Sequence, residues 1–373
     1  MIRPFIFMGF VLANLIATVA QGQPYSIQNL GYMPTMPPAS DGSWATGVSA
    51  DGNVVVGYTN VGMNNTEAYR WVGGVMTGLG YLGGDTSLAY AVSGDGTTVV
   101  GHANGASGSA TNYAFEWRSG GMWVIDFSKC GGQGPFAYGV SGDGSVIVGN
   151  QDTDHIGDPV GCFPGRAIEW AGGGESFLSF PSVSGGPPSG LARGTNTDGS
   201  VIVGEVGAVV SPTCNPCTQA FRWTSGGSIT LGDLGGNYSS AYATNPDGSV
   251  VVGTAAVDNV SSQPFRWTAG SGLIGLGGQS INAIAYAVSA NGLVVVGTAN
   301  GNKAFRWQPT TGIQYVQDLL IAGGVDMTGW NLTQATGISA DGSTIVGNGG
   351  YGTAATAWLA HVPTDEIFAN GFE

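Results

Sequence analysis

Hydrophobic and polar positions along this chain fall into short alternating runs separated by glycine-bearing turns. In the stretch AYAVSGDGTTVVGHANGASGSATNYAFEWRSGGMWVIDF, Tyr90 to Ser93 read as a strand, Gly94-Asp95-Gly96 as a tight turn and Thr97 to His102 as a second strand. Tyr113 to Arg118 make a third strand, Ser119-Gly120-Gly121 a second turn and Met122 to Phe127 a fourth. Glycine at the turn supplies the positive φ that a hairpin matched to strand twist requires. Four antiparallel strands in one such unit are the content of a propeller blade.

The unit returns seven times in the same order. Its turn residues are Asp51, Asp95, Asp143, Asp198, Asp247, Asn291 and Asp341, and its later tryptophans are Trp71, Trp117, Trp170, Trp223, Trp267, Trp307 and Trp358. A period of roughly 40 to 50 residues with several strands per unit predicts an all-β, seven-bladed β-propeller of four-stranded antiparallel blades. The first strand is rich in small residues, such as Ala89, Ala91 and Ser93, as the crowded inner strand of a propeller must be. In the third strand, period-two alternation sends Phe221 and Trp223 to one face, expected to pack on the neighbouring blade. The seventh unit stops after Ala357-Trp358-Leu359, and Tyr25 to Gly31 resemble a fourth strand. The N-terminal strand is therefore expected to complete the last blade and close the ring, leaving no open edge.

The recurring string resembles the HAF family of bacterial extracellular repeat proteins. It stands here as AFRW at Ala220 to Trp223, LGDLGG at Leu231 to Gly236 and NPDGSVVVG at Asn245 to Gly253. The histidine of the family's name is absent, with Tyr113, Gln219 and Lys303 standing before Ala-Phe. The resemblance covers about residues 25 to 361 and implies secretion and a repeat fold, without an established reaction.

Composition narrows the partners. Only 9% of residues are charged and 67 are glycine, so the surface carries little charge; 24 acidic against 10 basic residues leave a net charge of −14. Phosphate backbones and anionic lipids are repelled, which excludes nucleic acid as a partner. Residues 1–22, with Arg3 ahead of an apolar run from Phe5 to Ala20, have the layout of a secretory signal peptide, and cleavage there leaves no membrane insertion. A propeller over 23–361 and a short tail over 362–373 follow, predicted to be secreted, extracellular or periplasmic, and monomeric. Cys130, Cys162, Cys214 and Cys217 are even in number, which in an exported chain favours disulfides. Cys214 with Cys217 and Cys130 with Cys162 is the expected pairing; Cys162 with Cys214 is the alternative.

Repetition separates scaffold from site. A residue that recurs in every blade builds blades, so the turn aspartates and Ser49, Ser93, Ser141, Ser289 and Ser339 read as turn chemistry rather than metal ligands or nucleophiles. Asp152, Asp154, His155 and Asp158 form the one concentration of possible ligands and read as a solvated loop; neither metal nor cofactor is expected. Trp44, Trp123 and Trp330 stand outside the repeating tryptophans, and Arg193 replaces the tyrosine found at Tyr90, Tyr138, Tyr242 and Tyr286. Trp44 and Trp330 precede the inner strands of blades one and seven, so closure should make them neighbours on the rim that carries the variable loops. They read either as a stacking pair for a ligand or as packing at the closure seam. Arg193 is expected to line the central opening or to pair with an acidic neighbour. The predicted function is a non-catalytic binding or surface module for polysaccharide or an extracellular protein; the alternative is a glycosidase or lyase on the same scaffold.

Overall fold

Each Ser-x-Asp/Asn-Gly turn closes the hairpin between the first two strands of a blade with one repeated set of hydrogen bonds. The computed structural model describes residues 24–33, 42–62, 65–106, 112–127, 134–153, 163–180, 189–211, 214–258, 260–277, 283–300 and 302–364, with backbone alone at 152–153, 163–164, 208–211 and 214–217. In the first turn Ser49 Oγ donates to Asp51 Oδ1 at 2.5 Å and accepts from the Val54 N–H at 3.0 Å, while Gly52 holds φ at 77°. Ser93, Ser141, Ser289 and Ser339 repeat the bond onto Asp95, Asp143, Asn291 and Asp341. In the fourth and fifth blades Asn196 and Asn245 take the serine's place and accept from the N–H groups of Val201 and Val250.

The result is seven four-stranded antiparallel sheets, six of them in sequential strand order, a seven-bladed β-propeller. Blades one to six cover residues 43–78, 87–127, 136–177, 190–230, 239–275 and 284–315. The seventh takes three strands, Trp330–Ile338, Thr344–Tyr351 and Ala354–His361, from the end of the chain and its outer strand, Ser26–Asn29, from the beginning. Ser26 pairs with His361 and Asn29 with Trp358, and the Leu30 N–H donates to the Ala357 carbonyl at 3.0 Å. Closure by the N-terminal strand is thus as the sequence predicts.

The glycine that ends each Val-Val run is required by close approach. It pairs where the inner strand of the same blade carries a bulge, as between Ala45 and Gly47 or Ala241 and Ala243. A Cβ on Gly57, Gly101, Gly149, Gly204, Gly253, Gly297 or Gly347 would run into the carbonyl oxygen of Trp44, Leu88, Phe136, Leu191, Ser240, Ile284 or Gln334.

The core is divided into seven clusters, one between each pair of adjacent blades. Between blades four and five, for example, Val203, Ala220 and Leu231 meet Ala241, Val251, Phe265 and Trp267. Phe221 and Trp223 pack backward onto Val148, Ala167 and Leu178 of blade three, on the shared face that alternation predicts. One assignment is corrected. Trp71, Trp223, Trp267 and Trp307 pair with Val55, Ile202, Val251 and Val295, whereas Trp358 pairs with Gly347. Trp358 therefore occupies the place of Phe221, Phe265 and Phe305, and Ala360 holds the tryptophan place. The larger ring fills the space that Phe and Trp share elsewhere, and it is fully buried.

A helix, Val316–Ala322, links blades six and seven and buries Val316 and Leu320 in the cluster between them. The packed body continues beyond residue 361: Val362 is fully buried in the same cluster. Residues 1–22, Cys130, Cys162, His155 and Asp158 lie outside the described residues, as do the side chains of Cys214, Cys217 and Asp152.

Candidate functional site

The bulges of the inner strands decide what faces the propeller axis. At the same place in every inner strand the pairing register skips a residue: Thr46, Tyr90, Tyr138, Arg193, Tyr242, Tyr286 and Thr336. A bulge re-aims the skipped side chain, and here all seven line one axial cavity of about 450 Å³. Small neighbours such as Ala91, Gly139, Gly194 and Ala243 leave room for it.

The wall is asymmetric. On blades two and three, Tyr90 and Tyr138 stack with ring centroids 5.2 Å apart, and Phe136 continues the stack to His102 at 4.7 Å. On blades five and six, Tyr242 and Tyr286 meet edge to face at 5.3 Å. Between these groups Arg193 lays its guanidinium 4.5 Å from the Tyr242 ring centroid and pairs through Nη2 with Glu205 Oε1 at 3.3 Å. The Tyr238 hydroxyl donates to the other oxygen of Glu205 at 3.1 Å, so the carboxylate is held at both ends. Blades one and seven supply Trp44, Tyr58, Gln334 and Asn348 instead, with Trp44 stacked on Tyr58 at 5.2 Å. Asn348 Oδ1 accepts from the Ala45 N–H at 2.8 Å, tying the seam where the ring closes.

Burial pushes the tyrosine hydroxyls of the cavity up, Tyr286 to about 12, so they remain neutral donors and acceptors. Burial likewise pushes His102 down to about 4, leaving a neutral imidazole within the aromatic stack. Among the described lining residues there is no Ser, Cys, His, Asp or Glu. The cavity can therefore stack on a ring, donate and accept hydrogen bonds through its threonine, tyrosine and amide groups, and meet one anionic group with Arg193.

Both readings of Arg193 hold, since it lines the opening and pairs with Glu205. Trp44 lines the cavity with it. Trp330 does not: its ring meets Tyr351 in a tilted contact with centroids 4.8 Å apart, and it packs against the cluster containing Val316 and Leu320. The pairing of Trp44 with Trp330 expected from closure is replaced by two separate aromatic pairs. The reason is register, because Trp330 begins its strand four residues before Gln334, the counterpart of Trp44. At roughly 3.3 Å per residue that displaces it by about 13 Å along the strand. The tyrosines are the residues that sequence reasoning passed over: repetition marks blade building along most of a strand, but at the bulge it marks convergence on the axis.

No protein-family model and no curated protein matches the sequence. Among solved structures, the chain is similar to an oligogalacturonate lyase from Vibrio parahaemolyticus, with 10% identity, 91% of this chain and 98% of that chain covered, and a TM-score of 0.55. It is similar in the same way to an oligogalacturonate lyase in complex with manganese, at 12% identity, 91% and 97% coverage and a TM-score of 0.55. TolB from Acinetobacter baumannii matches at 12% identity over 73% of this chain with a TM-score of 0.45; the chain spans 61% of that protein's length. These likenesses are of fold. Among the described residues no helix is long and apolar enough to cross a membrane.

Proposed function

We propose that this chain is an exported, non-catalytic propeller that binds polysaccharide through its axial cavity. The observation that carries the reading is the aromatic wall of that cavity: four bulged tyrosines and Trp44 around a single arginine, in a space of about 450 Å³. Rings with a polar edge suit sugars, whose C–H faces stack while their hydroxyls meet phenol, amide and threonine groups. Arg193, already shared with Glu205, offers a directed contact to a carboxylate or sulfate on such a chain without making the cavity strongly cationic. The apolar leader at residues 5–20 and the HAF-type repeat string support export, to the periplasm or beyond.

A glycan array and a polysaccharide-degradation assay on the same preparation test this. The expected outcome is retention of at least one polysaccharide with no shortening of it, and loss of that retention in a Trp44→Ala/Arg193→Ala double variant that melts like the native protein. Release of oligosaccharides would instead establish the glycosidase or lyase reading, and retention unaffected by the double variant would remove the axial cavity from the function.

A further inference from the structure

The position that follows each Val-Val-Gly glycine changes from blade to blade while the frame around it repeats. Tyr58 and Asn348 line the axial cavity from it, Glu205 anchors Arg193, and Thr254 lines a second cleft of about 290 Å³. That cleft lies over blade five, on the rim of the variable loops. Tyr238 on the approach to the blade, Asp258 and Ser261 in the loop between its second and third strands, and Ile284 of blade six bound it. Tyr242 lines both spaces, so the cleft adjoins the axial cavity. Arg193 stands over the Tyr242 ring, and Glu205, bonded to Arg193 and to Tyr238, ties the two sites together.

The cleft is built of acceptors. The Tyr238 hydroxyl donates to Glu205, Thr254 Oγ1 donates to the Ala283 carbonyl at 2.7 Å, and Ser262 Oγ donates to the same carbonyl at 3.4 Å. A hydroxyl carries one hydrogen and two lone pairs, so these three oxygens have only lone pairs left to offer. Asp258 adds a carboxylate. Its Oδ1 accepts from the N–H groups of Ser261 at 2.6 Å and Val260 at 2.7 Å, which hold the carboxyl below its usual range and keep it ionised at neutral pH. Among the described residues no basic side chain pairs with it. The Val257 N–H donates to the Ser261 carbonyl at 3.0 Å and the Ala256 N–H to the Tyr238 carbonyl at 2.8 Å, so the loop and the approach are both anchored. Lone pairs and one negative charge beside tyrosine rings select a ligand rich in O–H donors and repel an anion. The axial cavity makes the opposite choice, because Arg193 favours an anion.

We propose that this cleft is the neighbouring subsite of the axial cavity and that the ligand is a mixed polysaccharide. An acidic sugar meets Arg193, and the next sugar, neutral and rich in hydroxyls, lies over blade five against Tyr238, Tyr242, Thr254 and Asp258. The inference rests on the axial reading and narrows it, since a chain of uronates alone would set a second carboxylate against Asp258.

Titration calorimetry of the full chain tests it with four hexasaccharides: alternating glucuronate and N-acetylglucosamine, alternating galacturonate and rhamnose, galacturonate alone, and glucose alone. At least one alternating hexamer is expected to bind about tenfold or more tighter than the galacturonate and glucose hexamers. Asp258→Lys should bring the galacturonate hexamer to within about threefold of that alternating hexamer. Asp258→Asn, which keeps the acceptor of the turn at an exposed position, should move the ratio part of the way and melt with the native protein. Trp44→Ala/Arg193→Ala should weaken every acidic hexamer. A galacturonate or glucose hexamer bound as tightly as the alternating ones, or a ratio unmoved by both Asp258 variants, overturns the subsite; loss of binding in the axial double variant then still spares the axial reading. Binding of acidic hexamers that the double variant leaves untouched overturns the axial reading and the subsite with it. No heat with either alternating hexamer also overturns the subsite, and retention on the glycan array then decides the axial reading separately.

Discussion

Arg306 Nη1 donates to the carbonyl of Pro363 at 3.0 Å, where the corresponding arginines of other blades bind the next blade's turn. Arg70, Arg222 and Arg266 donate through Nε to the carbonyls of Gly96, Gly248 and Gly292 at 3.2, 3.1 and 3.0 Å. The arginine of the Phe-Arg-Trp run is thus a strut from one blade's third strand to the turn of the next. At the junction of blades six and seven the end of the chain lies in between and takes the bond.

Truncation after His361 is therefore expected to destabilise the ring rather than trim a tail. It removes Val362, whose burial contributes about 1.5 to 3 kcal/mol, and an acceptor for a nearly buried guanidinium worth a similar amount. A chain ending at Thr364 should melt like the full chain. Equal melting of the 361 and 364 truncations would show that the strut is dispensable.

Deleting residues 24–30 should open blade seven from the other side. Leu30 is buried in the cluster between blades seven and one, and Tyr25 and Ile27 pack on the cluster between six and seven. The loss exposes two interfaces and one sheet edge. A sharp fall in melting temperature and concentration-dependent aggregation are expected; a chain that melts unchanged would disprove closure by this strand.

The Val-Val-Gly glycine and the turn glycines should respond differently to alanine. Gly253→Ala forces a Cβ onto the Ser240 carbonyl, which neither strand can yield without breaking the bulge that aims Tyr242 at the axis, so about 3 kcal/mol or more is expected. Gly120, with open space around it, should cost about 1 kcal/mol, the strain of its positive φ alone. Chemical denaturation of the two variants compares them directly.

What was legible in the sequence follows from the same distinction. The repeats exposed blade number, strand order and closure because turn glycines and period-two runs are local signals. The place of Trp358 was not legible, because the last repeat carries one aromatic, as the third does with Trp170, and only the pairing with Gly347 rather than Ile345 fixes which position it holds. The axial tyrosines were visible as letters at Tyr90, Tyr138, Tyr242 and Tyr286, but their convergence depends on a bulge that shifts pairing by one residue. Glu205 reaches Arg193 from the second strand of blade four, and Tyr238 reaches Glu205 from the approach to blade five, contacts no local spacing encodes.

Acid should weaken the fold in two stages. His102 has its folded value lowered to about 4 by burial, so between about pH 6.5 and 4 the unfolded chain binds the extra proton and stability falls as pH falls. His102→Phe, which keeps the stack, should flatten this part of the profile. Below that, Asp51, Asp95 and Asp143 are held low chiefly by the hydroxyls of Ser49, Ser93 and Ser141, and their contribution, present above the ordinary carboxylate range, is lost as pH drops through the lowered values. Melting temperature against pH for the native and His102→Phe proteins gives both stages.

Trp44 and Trp330, which ring closure predicts to be neighbours, should respond differently to truncation. Trp330 is half-buried against the helix Val316–Ala322, with its carbonyl accepting from Gln317 Nε2 at 3.2 Å, so Trp330→Ala should cost about 3 kcal/mol, as truncating a packed tryptophan does, and leave sugar affinity at the axis intact. Trp44 presents its ring to the cavity and rests on Tyr58, so Trp44→Ala should lower affinity about tenfold or more while the melt moves little. A melt and a binding isotherm on each single variant decide the matter: a large stability loss for Trp44→Ala without a specific affinity loss would return it to the seam, leaving Arg193 and the tyrosines to carry recognition alone.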